Sequence, residues 1–314
     1  MSAATTSITL SLAGLDVPAV EVTGARPGPR LTVIAGVHGC EYSSMQGLRS
    51  FVRDLDPDQL TGSVVAVPVL NLPAFWARTP FVVPDDGKNL NRCFPGDPEG
   101  TLAERLAHDA FTQLIVGSDA LIDMHAGDQV EALEPFALYD AGPQEARSLE
   151  LATAYGVGYV IRQEAGPDRA VSGSSSSAAA AVGVPAIIAE AGGCGLVTQD
   201  AVAAHRRGLS GVLAALGMRA TSEPAPPEPV FLERFLWVRC ARGGWWAPQV
   251  EPGQHVAVGE LLGTVSSLDG GEVIESVHAP AAGIPMFITT SPAVLDDGLL
   301  LGLGAPATEL AATA

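Results

Sequence analysis

The sequence predicts an α/β domain, with a sheet layered between helices, followed by a small all-β unit. Two observations carry the first part. Continuous apolar runs of strand length recur between residues 31 and 192, and helical patterns lie between them. A third observation carries the second part: past a proline-rich break at 223–229 the chain turns to short β-type segments with frequent glycines. Strands alternating with helices are the mark of a layered α/β sheet.

Taken in order, residues 8–24 read as two short strands, ITLSLAG and PAVEVTG, split by a turn. LTVIAGV (31–37), SVVAVPVL (63–70), ALIDMHA (120–126), GYVIRQ (158–163) and PAIIAEAG (185–192) are apolar runs that suit strands covered on both faces. Helical patterns cover Tyr42–Leu55, Thr101–Val116 and roughly 198–216. The second opens with the capping box Thr101-x-x-Glu104, in which each side chain satisfies a free amide at the helix start. EPAPPEP (223–229) cannot continue a helix and makes a stiff linker. The expected organisation is an α/β domain over 1–222, a linker over 223–229 and a β-domain over 230–314, with no internal repeat.

Composition excludes several functions. The 314 residues include 35 acidic and 17 basic side chains, a formal net charge of -18, and Lys88 is the single lysine. A nucleic-acid groove or a polybasic membrane patch needs clustered positive charge. Cys40, Cys93, Cys194 and Cys240 are scattered, with no C-x-x-C pair, and a chain 47% hydrophobic has core enough without disulfides. MSAATTSITLSLAG lacks the basic start and apolar stretch of a signal peptide, and no apolar run reaches membrane-spanning length. The expectation is a cytoplasmic protein with free thiols, with homo-oligomerisation left open.

Four clusters carry chemistry. Gly36-Val37-His38-Gly39-Cys40-Glu41 follows an apolar strand directly. At a strand-to-helix junction His38 and Glu41 can turn toward one point, and they are two of the three ligands of a His₂Glu zinc site. Alone, the pair equally fits a helix start with an ordinary capping acid. Asp123-Met124-His125 closes another run, and on a strand Asp123 and His125 share a face. His125 would be the third ligand, and Asp123 would accept the free ring N–H of a ligand histidine; a strand-end His and Asp in contact with solvent or with each other is the plainer alternative. Glu190-Ala191-Gly192-Gly193 puts a carboxylate at a third strand end, where beside a zinc it can move a proton from water to a leaving amine; a loop acid in a tight glycine turn is the alternative. Asn89-Leu90-Asn91-Arg92 lies in a loop before Phe94-Pro95-Gly96 and can clamp a carboxylate, or be a solvated surface turn. Convergence on strand ends of one domain raises all four together.

G-x-H-G-x-E, N-L-N-R-x-F-P-G, D-x-H and E-x-G-G, in this order, resemble the succinylglutamate desuccinylase and aspartoacylase family, itself similar in fold to the zinc carboxypeptidases. The resemblance runs from about residue 30 to about 300. It implies a zinc-carboxypeptidase-like mixed sheet flanked by helices. It implies one zinc ion per chain on His38, Glu41 and His125, with Glu190 as general base and acid. It implies that Asn91 and Arg92, with Asn89 beside them, hold a substrate carboxylate. A further family arginine polarises the scissile carbonyl, and Arg78 is the nearest upstream of the loop. Position 89 is Asn where the best-known members carry Asp, a form that looks more like the N-acetyl-diaminobutyrate deacetylase branch. The implied reaction is hydrolysis of an amide in a small N-acylated amino acid or related compound. The rivals are a peptidase on the same zinc site and a non-catalytic binding protein that keeps the fold.

In the tail, Val250-x-x-Gly253-x-x-Val256-x-x-Gly259-x-x-Leu262-Gly263 resembles the barrel-sandwich modules that carry biotin or lipoate on lysine. This tail has no lysine, so it is expected to be structural or to shape substrate entry. His278 and Trp245-Trp246 could line the mouth of the site, but core packing is the expected role for the tryptophans. The Ser172–Ser177 run lacks a G-x-S-x-G elbow and reads as a cap for the Ala-rich helix after it. Gly192-Gly193-Cys194-Gly195 matches neither G-x-G-x-x-G nor a P-loop. His108 and His205 read as ordinary helix residues.

Overall fold

The computed structural model describes residues 2–164, 173–220 and 226–306. Among these, nine strands precede the proline-rich segment and a tenth follows it directly: β1 (Ala4–Leu12), β2 (Leu15–Thr23), β3 (Arg26–Ala35), β4 (Thr61–Val67), β5 (Ala120–His125), β6 (Glu131–Leu133), β7 (Phe136–Asp140), β8 (Tyr159–Gln163), β9 (Ala186–Glu190) and β10 (Val230–Leu232). All but β6 form one mixed sheet in the order β1-β2-β4-β3-β5-β9-β7-β8-β10. Its centre, β4-β3-β5-β9, is parallel, and β7 runs antiparallel to β9. The helices are α1 (Tyr42–Asp54), α2 (Leu72–Ala77), α3 (Leu102–Ala110), α4 (Glu145–Tyr155), α5 (Ser175–Ala181) and α6 (Gln199–Ala215).

The unbroken apolar runs are explained by two cores, one on each face of the sheet. Along β3, Leu31, Val33 and Ala35 face α1, α4 and α6, whereas Ile34 faces α3 and α5. A strand covered on both sides has no polar face to alternate with. The Thr101–Glu104 capping box is present, and the expected helix 101–116 is α3 followed by one π-type turn over Phe111–Ile115. Ser174 caps α5, its side chain accepting from the Ser177 amide at 3.1 Å. Ser172 lies outside the described residues. β7, α2 and α4 were not among the elements read from the sequence.

The tail forms β11 (Arg234–Arg239), β12 (Gly244–Pro248), β13 (Leu261–Ser266), β14 (Val273–His278), β15 (Ile284–Thr289), β16 (Ala293–Val294) and β17 (Leu299–Ala305). These make two sheets, β11-β17-β15-β6 and β14-β13-β12-β16, packed on a shared core that includes Trp246, Leu262, Val265 and Leu301. Two strands cross over. β6 leaves the α/β part of the chain to pair with β15, and β10 pairs with β8 at the edge of the large sheet. A fourth cluster, with Phe136, Ile188, Leu232 and Met286, joins the two parts. Residues 223–225 of the proline-rich segment lie outside the described residues. Among the described residues no helix is long and apolar enough to cross a membrane.

Candidate active site

Three strands end side by side where the metal-type residues fall. β3 runs into Gly36, whose φ is +65° and where a Cβ would lie 2.9 Å from the Val69 Cα. Conformation and space both require glycine there. The turn it makes delivers His38 and Glu41 just ahead of α1. β5 ends on His125 and β9 on Glu190, and the parallel register sets these two residues beside each other. The carboxyl ends of parallel strands are where such sheets form their crevices.

Glu41 joins the two histidines. One of its carboxylate oxygens lies 2.6 Å from His38 Nδ1, and the other lies 2.9 Å from His125 Nδ1. One ligand atom from each of the three residues falls within 4.8 Å of the others. The far nitrogen of each ring also meets an oxygen. His38 Nε2 is 3.0 Å from Asn89 Oδ1, and His125 Nε2 is 3.0 Å from Asp123 Oδ1. A neutral imidazole has one N–H, so it cannot satisfy acceptors at both nitrogens. The donor set fits a metal ion: with both Nδ1 lone pairs turned inward beside the Glu41 carboxylate, each Nε2–H is left facing an oxygen. Without that ion, both imidazoles hold the buried Glu41 carboxyl at about 2 against the opposing effect of burial. Burial lowers His125, but Asp123 and Glu41 outweigh it and hold the ring well above its ordinary value.

The supporting residues are fixed in turn. Ser175, at the start of α5, donates its hydroxyl to Asp123 Oδ2 and its amide to Asn91 Oδ1 at 2.9 Å. Asn91 Nδ2 lies 3.4 Å from His125 Nε2. Asn89 Oδ1 accepts from the Asn91 amide at 2.9 Å as well as facing His38. Asn89 and Asn91, expected on a substrate carboxylate, thus have polar atoms engaged on His38, on His125 and on α5. Phe81, at a strained φ of +59°, packs edge-on to the His38 ring.

These side chains open into a cavity of about 810 Å³. Glu190 lines it, half-buried; burial pushes its carboxyl well above the ordinary range, Glu41 and Glu131 add to this, and His125 opposes it. Arg92 lines it too. Its Nη1 donates to its own chain at the Asn91 carbonyl, 2.7 Å away, and no carboxylate among the described residues pairs with it. Its guanidinium carbon stands 5.9 Å from the Trp237 ring centre, and that of Arg239 stands 5.7 Å from the same ring.

Three expectations are corrected. Arg78 caps the end of α2 in a left-handed conformation, is exposed, and lines a separate groove with Tyr42 and Phe75. His278 and Trp245 do not line the cavity and Trp245 is exposed, whereas Trp246 is buried in the tail's own core, the packing role expected of it. The tail's wall is instead Phe235, Trp237, Arg239 and Phe287. The alternation Phe235-x-Trp237-x-Arg239, one face of a strand, was the available signal. His205 is no ordinary helix residue: it is fully buried, with Nδ1 2.7 Å from the Tyr155 hydroxyl.

The sequence profile of the succinylglutamate desuccinylase/aspartoacylase catalytic domain matches residues 27–216. The chain belongs to this family. It is 33% identical over 261 residues to the N-alpha-acetyl-L-2,4-diaminobutyric acid deacetylase of Halomonas elongata, covering 78% of this chain and 73% of that protein. Among solved structures of the desuccinylase/aspartoacylase fold, the product-bound ectoine utilization protein EutE (DoeB) of Ruegeria pomeroyi superposes with a TM-score of 0.84 at 25% identity. That match covers 93% of this chain and 89% of the other. The succinylglutamate desuccinylase/aspartoacylase of Rhodobacter sphaeroides has a TM-score of 0.82 at 24% identity, covering 96% of this chain and 94% of the other, and shows the shared fold.

Proposed function

We propose that this member of the family is a zinc-dependent deacylase that hydrolyses the amide bond of a small N-acylated amino acid. One observation carries the metal part: both Nδ1 atoms face the two oxygens of Glu41, while both Nε2 atoms already face acceptors. Two imidazoles and a carboxylate are the ligand set of a catalytic zinc site with one position open. Zinc, when bound, supplies Lewis acidity and lowers the pKa of a bound water to about 7.

The chain's own groups supply the rest. Glu190, raised by burial, suits a proton carrier: it takes a proton from the attacking water and gives it to the leaving nitrogen. Arg92, which lines the cavity and has no ion-pair partner among the described residues, holds a substrate carboxylate, with Trp237 against its flat face. Phe235 and Phe287 wall the cavity against water, which strengthens every charge interaction inside it. Asn89 and Asp123 hold the two ligand rings in the required tautomer. Arg78, in its exposed position, is given no role in the reaction. The Halomonas relative is named for a monoacetylated diamino acid, which puts such compounds first in a substrate panel.

The test is a panel of N-acyl amino acids and short peptides read by mass spectrometry, with metal analysis of the same protein. Stoichiometric zinc, chelator-sensitive release of carboxylic acid from N-acyl amino acids, and intact peptides are the expected results. Cleavage of peptides alone would make the protein a peptidase. No metal and no turnover would leave a binding protein.

A further inference from the structure

Glu131 is a cavity carboxylate that neither the proposed metal set nor the proton carrier uses. It lies on β6, the strand the catalytic half lends to the tail's sheet, and its side chain lines the same cavity as Glu190 and Arg92. Its backbone is pinned: the carbonyl accepts from Cys194 N at 2.7 Å, and the amide donates to Asp128 O at 3.0 Å. The side chain is far less committed. Its one hydrogen bond is a long one, Oε2 accepting from Asp128 N at 3.3 Å. No cationic side chain among the described residues pairs with it. Burial, with Glu41 adding to it, pushes its carboxyl up to about 7. A buried acid without a counter-charge is costly unless something else supplies one.

The cavity's positive charge sits elsewhere. Arg92 and Arg239 flank Trp237 on β11, and β11 and β6 are the two edges of one four-stranded sheet. Three strand spacings put those edges roughly 14 Å apart. The cavity thus holds a guanidinium against the β11 edge and a carboxylate on the β6 edge, neither with an ion-pair partner among the described residues. A zwitterion matches this polarity: its carboxylate goes to Arg92 and its ammonium to Glu131. A dicarboxylic N-acyl amino acid would set a second anion against Glu131.

We propose that Glu131 is a specificity residue that reads a free ammonium on the amine half of the substrate, so that the preferred substrates are monoacylated diamino acids. This rests on the deacylase reading of the site. The charge pairing is made in the ground state, so it appears in KM and in product binding more than in kcat.

The experiment compares N-acetyl-2,4-diaminobutyrate, N-acetylnorvaline and N-acetylaspartate on the zinc-loaded wild type and on Glu131→Gln. Calorimetric binding of free 2,4-diaminobutyrate and norvaline to both proteins runs alongside. The wild type should favour the basic substrate over the neutral one by about 10- to 100-fold in kcat/KM, the range for a charge-assisted contact. Glu131→Gln should reduce that ratio to within about threefold of unity and weaken binding of 2,4-diaminobutyrate but not norvaline. An unchanged ratio in the variant, or equal loss on all substrates with zinc retained, overturns the assignment. If no N-acyl substrate turns over, the deacylase reading fails, and the binding comparison still decides the role of Glu131.

Discussion

The Nε2 atom of His205 lies 3.1 Å from the carbonyl oxygen of Ala191, the residue directly after Glu190. With Tyr155 2.7 Å from the other ring nitrogen, the assignment is settled by chemistry: the tyrosine donates to Nδ1, and Nε2–H donates to the carbonyl. α6 thereby holds the end of β9 from behind, on the side away from the cavity. His205→Ala leaves a buried hydroxyl and a buried carbonyl unsatisfied, so a loss of about 2–5 kcal/mol in chemical denaturation is expected. The kcat should fall more than KM changes, because the Glu190 segment loses its anchor while Arg92 is untouched. A variant with normal kcat and reduced stability would give His205 a purely structural role.

His205 also predicts a pH dependence of stability. Burial lowers its pKa to about 4, against about 6.5 in the unfolded chain. The unfolded state binds the proton more readily, so stability is full above about 6.5 and falls as pH drops toward about 4. At about 1.4 kcal/mol for each pH unit between the two values, the loss is roughly 3 kcal/mol. Thermal melts of wild type and His205→Gln should differ in slope across that window and run parallel above it. Parallel melts throughout would show that the ring does not titrate there.

Glu190→Gln keeps the size and removes the proton carrier. Zinc content should stay at one per chain, and kcat should fall by about 10²- to 10⁴-fold. Turnover at the wild-type rate would remove Glu190 from the reaction.

Asp123→Asn tests the support behind His125. Asp123 Oδ1 lies 3.0 Å from His125 Nε2 without making a hydrogen bond of good geometry to any group, and its other oxygen is taken by Ser175. Metal affinity should drop by about 10- to 100-fold, read by competition with a chromophoric chelator. Unchanged affinity would mean that Asp123 serves α5 alone.

The centre of the site was legible because each of its residues sits next to an apolar run in the chain itself. His38, Glu41, Asp123, His125 and Glu190 all follow from where strands end, and strand ends are a local property. The walls were not legible for the opposite reason. Phe235, Trp237 and Arg239 alternate as on any half-buried strand, and only the docking of β11 against distant residues decides what that face meets. Arg78 shows the same limit: one left-handed residue at the end of α2 sends its side chain away from the site. α4 and β7 are short and mix polar with apolar residues, so their periodicity is weak.

The two crossed strands, β6 into the tail's sheet and β10 into the large one, make the halves of this protein inseparable at the level of the peptide chain. Cutting after α6 would strip one edge from the catalytic sheet and strand Glu131 without its lattice, so a truncated enzyme would lose its choice of substrate along with a wall. Tails exchanged between relatives would have to bring a matching edge at both junctions. A mutation on β15, which pairs with β6 and carries Phe287 into the cavity wall, therefore has a direct route to selectivity.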